Sequence, residues 1–176
     1  MFLDVRDFTG FAEGRSATET VASLNALFER VVPIVHRHGG HVDKFAGDGL
    51  LAVFGAPRRQ DDHALRAALE IARDLRDDAE SEIEIGIGVN TGYVLAGNVG
   101  GGGRLEFSVI GDAVNVAARV EACTRETGDA ILVTEPTKES IGEGGVEFEE
   151  RSRVELKGKR EPVALYAPRV DGEATR

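Results

Sequence analysis

Two carboxylates, Asp4 and Asp48, stand where chemistry could be done. Asp4 lies in the short apolar run Phe2–Val5, and Asp48 lies in Ala46-Gly47-Asp48-Gly49, between two further apolar runs. A turn that can supply positive φ twice between such runs reads as a β-hairpin over about 41–54. The second run, Leu50–Phe54, is apolar on both faces and so reads as a buried central strand. A carboxylate at the tip of such a strand is costly unless something positive meets it. A metal ion or Lys44 could do that; the plainer alternative is an Asp that only caps its turn. If the strands bearing Asp4 and Asp48 are neighbours, the two charges repel. Two divalent ions whose shells are completed by phosphate oxygens would relieve the repulsion. The backbone N–H groups of Phe8 and Thr9 open the next helix, and helix N-termini bind phosphate.

Asn115 and Arg119 are four residues apart, so they share one helix face, with Val114, Ala117 and Ala118 beside them to pack inward. Such a pair is often a solvated stripe. Leu156-Lys157-Gly158-Lys159 sets two lysines around a turn glycine, a weak signal alone because exposed Lys is the default. His36, His38 and His41 surround Gly39-Gly40, which fits a solvated helix end better than a metal site. Cys123 reads as a small packing residue.

The elements that must position these groups follow from periodicity. Phe2–Val5 is a strand that is short against the ~5–6 residues usual for a central strand, so the sequence reads either as a catalytic fragment with a regulatory domain upstream or as a chain with a short start. A short helix follows Arg6-Asp7. Ala17 to His38 carries Val21, Leu24, Leu27, Phe28, Val31, Val32 and Val35 at helical spacing and stops at Gly39-Gly40. A second helix is expected over 62–79. A strand over 83–89 turns at Asn90-Thr91-Gly92 into a partner strand over 93–99. Gly100–Gly103 reads as the most flexible segment. Asp112 is expected to cap a helix running to about Arg125. Strands follow near 130–134, 146–149, 153–156 and 163–166, then a loose tail over 169–176. The order predicts an α+β fold: a ferredoxin-like core with helices packed on a mixed, mostly antiparallel sheet, in one domain over 1–168.

A chain of 176 residues is long enough for one domain with a full core. Its net charge of −10 argues against a nucleic-acid partner, which needs a basic patch. The single cysteine excludes an internal disulfide and fits a reducing, cytoplasmic setting. No apolar run approaches the ~20 residues of a membrane span. Gly100–Gly103 matches neither a P-loop nor a Rossmann fingerprint.

Together, four ordered blocks make the sequence resemble the class III adenylyl/guanylyl cyclase catalytic domain over nearly its full length. They are Phe2-Leu3-Asp4-Val5-Arg6-Asp7-Phe8-Thr9, Val42-Asp43-Lys44-Phe45-Ala46-Gly47-Asp48-Gly49, Val109 to Arg119, and Leu156-Lys157-Gly158-Lys159. The resemblance implies that Asp4 and Asp48, with the Val5 carbonyl, bind two divalent metal ions, Mg2+ or Mn2+. It implies that Lys44 and Ser108 read the purine, that Asn115 and Arg119 hold the ribose and stabilise the transition state, and that Lys157 binds the triphosphate. It also implies a homodimer in which Asp4 and Asp48 of one subunit work with Lys44, Ser108, Asn115, Arg119 and Lys157 of the other. The implied activity is that of an adenylate cyclase making 3′,5′-cyclic AMP and pyrophosphate from ATP. A guanylate cyclase and an inactive nucleotide-binding or dimerisation module are the alternatives. Three positions depart from the family pattern: Asp7 replaces a frequent Gly, Ser108 a frequent Asp, and Tyr93 an Arg that some relatives carry.

Overall fold

The computed structural model describes residues 1–56, 62–78, 81–141, 146–155 and 162–169, with side chains throughout except at 104–107 and 152. The Lys157 block and the tail beyond Arg169 lie outside the described residues.

Seven strands form the main sheet: β1 (Phe2–Val5), β2 (His41–Ala46), β3 (Gly49–Val53), β4 (Ile85–Val89), β7 (Ile131–Thr134), β8 (Phe148–Val154) and β9 (Val163–Pro168). Their order is β2-β3-β1-β4-β7-β9-β8, and among the described residues only the β4–β7 pair is parallel. Period-2 alternation divides each strand between two faces. Leu50 and Ala52, Ile85 and Ile87, Ile131 and Val133 belong to one buried cluster with the helices α2 (Ala17–Arg37) and α3 (His63–Arg76). Leu132, Leu165 and Ala167 look to the other side, toward Val116, Val120 and Cys123 of α4 (Asp112–Thr127). Each fully buried aliphatic contributes roughly 1.5–3 kcal/mol of transfer free energy. The α+β class and the mostly antiparallel sheet are those expected from the sequence.

α2 starts with a capping box, Ser16 accepting from the Glu19 N–H while Glu19 accepts from the Ser16 N–H. α4 is set by the sequence Ile85-Gly86-Ile87-Gly88-Val89. The isoleucines fill one face, and the glycines leave a track on the other. A Cβ at Gly88 would stand 2.3 Å from the Glu121 nitrogen and 2.4 Å from the Ala117 carbonyl oxygen. The helix carrying Asn115 and Arg119 therefore lies against bare strand backbone, an approach only glycine permits.

The connectivity differs from expectation after β4. Residues 93–99 do not pair with β4, because β1 and β7 occupy both of its edges. Instead β5 (Leu95–Gly101) pairs with β6 (Arg104–Ile110) in a separate two-stranded ribbon. Gly102 and Gly103, at φ 62 and 87, make its turn, so the glycine run closes a hairpin as two positive-φ residues do. α4 is capped by Gly111, with Asp112 as its first residue and no side-chain cap. The two strands expected at 146–149 and 153–156 are one strand, β8, with a register shift between Arg151 and Val154. Among the described residues two further short helices are α1 (Phe8–Glu13) and α5 (Glu135–Ile141); α5 is a seven-residue element too short for periodicity to predict.

Candidate active site

β1 and β3 are hydrogen-bonded neighbours, with Leu3 opposite Leu50. The next step along this ladder sets Asp4 against Gly49, directly after Asp48. A Cβ at Gly49 would stand 2.6 Å from the Asp4 Oδ1 and 2.3 Å from the Leu3 carbonyl oxygen, so glycine lets the hairpin turn close on Asp4. The conditional expectation is met: the two carboxylates converge at one end of the sheet. Burial pushes the Asp4 carboxyl above the usual Asp range; the charge of Asp48 adds to this and the Arg125 guanidinium opposes it. Arg125 donates from Nη2 to the Asp4 Oδ2 at 2.6 Å. Two converging carboxylates beside backbone carbonyls are hard oxygen donors of the kind Mg2+ and Mn2+ take. Among the described residues no cluster of three or more His, Cys, Asp or Glu is placed to hold a metal. The Asp4 and Asp48 carboxylates fit a divalent ion only if other ligands complete its shell.

Glu121 and Arg125 form an i, i+4 acid–base pair on α4 that lies against β1, a placement that helical spacing alone does not reveal. Arg125 Nη1 is 3.5 Å from the Glu121 Oε1, and the Glu121 side chain is 4% exposed. Burial pushes the Glu121 carboxyl up to about 7; Asp4 and Asp48 add to the shift while Arg125 and Arg6 oppose it. Between the ordinary Glu value of 4.5 and about 7, the folded chain keeps a proton that the unfolded chain releases. Stability from this group is therefore full below the lower value and falls as pH rises through the window. Glu121→Gln should remove that slope and stabilise the metal-free protein at pH 8 by roughly 3 kcal/mol. Urea unfolding in EDTA at pH 5 and pH 8 checks this; parallel pH curves for wild type and variant would refute it.

A second group forms beside the hairpin. Lys44 Nζ donates to the Ser108 Oγ at 2.8 Å and lies 3.2 Å from the Asp43 Oδ2. Ser108 Oγ donates to the Asp43 Oδ2 at 3.1 Å, and the Val109 N–H donates to the Asp43 Oδ1 at 3.3 Å. Lys44 and Ser108, expected from the sequence resemblance to act on one base, are thus in contact. Asp43 was not anticipated; its position beside Lys44 in a hairpin strand was the available signal. Among the described residues Asp48 is not a partner of Lys44.

Asn115 is exposed and Arg119 half-buried on α4; neither side chain has a hydrogen-bond or ion-pair partner among the described residues. Arg125, which touches Asp4, lies ten residues beyond Asn115, about 15 Å along the helix axis. One chain therefore presents the Asp4–Asp48 pair and the Asn115 end of α4 as separate groups. Phe8 and Thr9 begin α1, behind Asp7, whose φ of 46 is the one positive value among described non-glycine residues. Asp7 makes no side-chain capping bond, and its carboxylate lies over Gly10, where a Cβ would meet Oδ2 at 2.5 Å. That left-handed backbone is the conformation glycine adopts freely. Lys157 lies outside the described residues.

The family model for the adenylate and guanylate cyclase catalytic domain matches residues 1–167. The chain belongs to this family. A Dictyostelium discoideum protein named adenylate cyclase, terminal-differentiation specific, is 36% identical over 181 residues, covering 98% of this chain and 8% of that protein. The domain thus spans a small part of that relative. Among solved structures, the guanylyl cyclase Cya2 superposes with a TM-score of 0.83 at 34% identity, covering 95% of this chain and 88% of that one. The adenylyl cyclase CyaB from P. aeruginosa superposes with a TM-score of 0.85 at 27% identity, covering 99% and 93%. The cyclase catalytic fold, with one parallel strand pair and α4 seated on a glycine track, is therefore the frame that carries these residues. No helix among the described residues is long and apolar enough to cross a membrane.

Proposed function

We propose that this domain is an adenylate cyclase that converts ATP to 3′,5′-cyclic AMP and pyrophosphate in a homodimer with two equivalent sites. Likeness to solved cyclases is divided between purines, so the reading rests on one observation: the Lys44 ammonium seated on the Ser108 hydroxyl. Lys44 can only donate. Adenine offers N1 as an acceptor, whereas guanine carries a proton there. Guanine would leave that N–H facing a donor, a mismatch of ~1–3 kcal/mol, or about 5- to 150-fold in favour of ATP.

The other roles are those that the family resemblance implies. Asp4 and Asp48, with the Val5 carbonyl, hold two divalent ions, Mg2+ or Mn2+. Held there, such ions would supply the charge that lowers the pKa of the ribose 3′-hydroxyl and offsets that of the leaving pyrophosphate. Phe8 and Thr9 offer backbone N–H groups to the phosphates, with Lys157 as a further triphosphate contact. Asn115 orients the ribose, and Arg119 meets the charge that spreads over the phosphoryl oxygens. A second subunit completes the site. Phe45, Tyr93, Leu95 and Ile110 support this, being large apolar side chains each more than half exposed, on β2 and the β5–β6 ribbon with its leading loop. Exposed apolar side chains grouped on one surface are what a protein–protein interface uses.

The test is kcat/KM for ATP and GTP in wild type and Lys44→Glu. Wild type should favour ATP. Lys44→Glu should lose ATP cyclisation and shift the ratio toward GTP, incompletely because Ser108 is unchanged. A ratio that does not move would remove Lys44 from base reading.

A further inference from the structure

β2 carries a bulge. Val42 pairs with Ala52 and Lys44 with Leu51, so Asp43 has no partner on β3. Successive strand residues normally point to opposite faces, and an extra residue re-aims them. Here Asp43 and Lys44, though consecutive, both reach β6 at Ser108. The Asp43 side chain is 1% exposed. Both of its oxygens are used, Oδ1 by the Val109 N–H and Oδ2 by Ser108 and Lys44.

We infer that Asp43 is a positioning residue that sets base specificity by fixing the hydrogen-bond polarity of Ser108. A hydroxyl has one proton and two lone pairs, an ammonium only donates, and a carboxylate only accepts. In this triangle the Ser108 proton must go to Asp43, and one lone pair takes the Lys44 proton. What remains toward the base is a lone pair, an acceptor. Lys44 spends two of its three N–H bonds on Ser108 and Asp43 and keeps one as a donor. The pair therefore displays donor beside acceptor. That pattern matches adenine N1 and its 6-amino group and opposes guanine N1–H and O6. A serine that alone could donate or accept is held as an acceptor, as a carboxylate in its place would be. This inference rests on the adenylate cyclase reading for the place of the base.

Asp43→Asn keeps the shape and an acceptor for the Val109 N–H, while its amide N–H2 turned to Ser108 frees the hydroxyl to donate outward. The expected result is a fall in the ATP:GTP ratio of kcat/KM by about 3- to 10-fold, the scale of one neutral hydrogen bond. Ser108→Ala should lower the ratio similarly. In the Ser108→Ala background, Asp43→Asn should move it less, by no more than the lost Lys44 contact to Asp43 contributes. A purely structural role for Asp43 would lower both nucleotides by equal factors, and that result overturns the inference. So does an unchanged ratio in Ser108→Ala, a measurement that stands even if Asp43→Asn fails to fold. So, too, does the same Asp43→Asn shift with and without the Ser108 hydroxyl. If wild type prefers GTP, the adenylate reading fails; the Asp43 inference still stands or falls on whether its effect on the ratio requires Ser108.

Discussion

Asp4→Ala and Asp48→Ala are each expected to cut cyclase turnover at least about a hundredfold, the scale felt when one preorganised charge-stabilising group is lost. The fold should survive. Neither carboxylate belongs to an apolar core cluster, and burial already works against the ionised form of Asp4. Taking one of two converging carboxylates away relieves repulsion. Arg125 loses a partner in Asp4→Ala, but its side chain is 42% exposed and can be hydrated. Thermal unfolding midpoints of the variants should stay within a few degrees of wild type, and turnover should not recover with saturating Mn2+. A variant that retains most of its turnover under those conditions would show that the two carboxylates do not bind the catalytic metals.

Mixing two inactive variants should restore activity. A dimer of one Asp4→Ala chain and one Arg119→Ala chain has one site with both lesions and one with neither, provided each site takes Asp4 from one subunit and Arg119 from the other. Random exchange of an equal mixture makes half the dimers mixed, each with one intact site, so about a quarter of wild-type activity should return under twofold symmetry. The separation of Asp4 from the Asn115 end of α4 within one chain motivates the expectation. The measurement is cyclic nucleotide formation after mixing, with subunit exchange followed by a tag on one chain. Proven exchange without recovered activity would mean that each site lies within a single chain.

Much of this was legible from the sequence because the signals were local. The hairpin around Asp48, the end of β1 at Asp4 and the i, i+4 pair of Asn115 and Arg119 each follow from turn chemistry or helical period. The convergence of Asp4 with Asp48 needed one long-range fact, the β1–β3 pairing, and could only be stated conditionally. Pairings between distant segments were not legible. Residues 93–99 have strand character whether they join β4 or β6, and the choice is made by β1 and β7 taking the edges of β4. The bulge at Asp43 was hidden for a related reason: a register slip of one residue is invisible until the partner strand is known. Glu121 and Arg125 have helical spacing, but what they face depends on α4 settling on Gly86 and Gly88.

The central claim is the choice of nucleotide, and product identity tests it most directly. Purified protein given equal concentrations of ATP and GTP with Mn2+ should make cyclic AMP in at least about fivefold excess over cyclic GMP, the lower bound for one mismatched buried donor. Equal or greater cyclic GMP, or no cyclic nucleotide at all, would contradict the account.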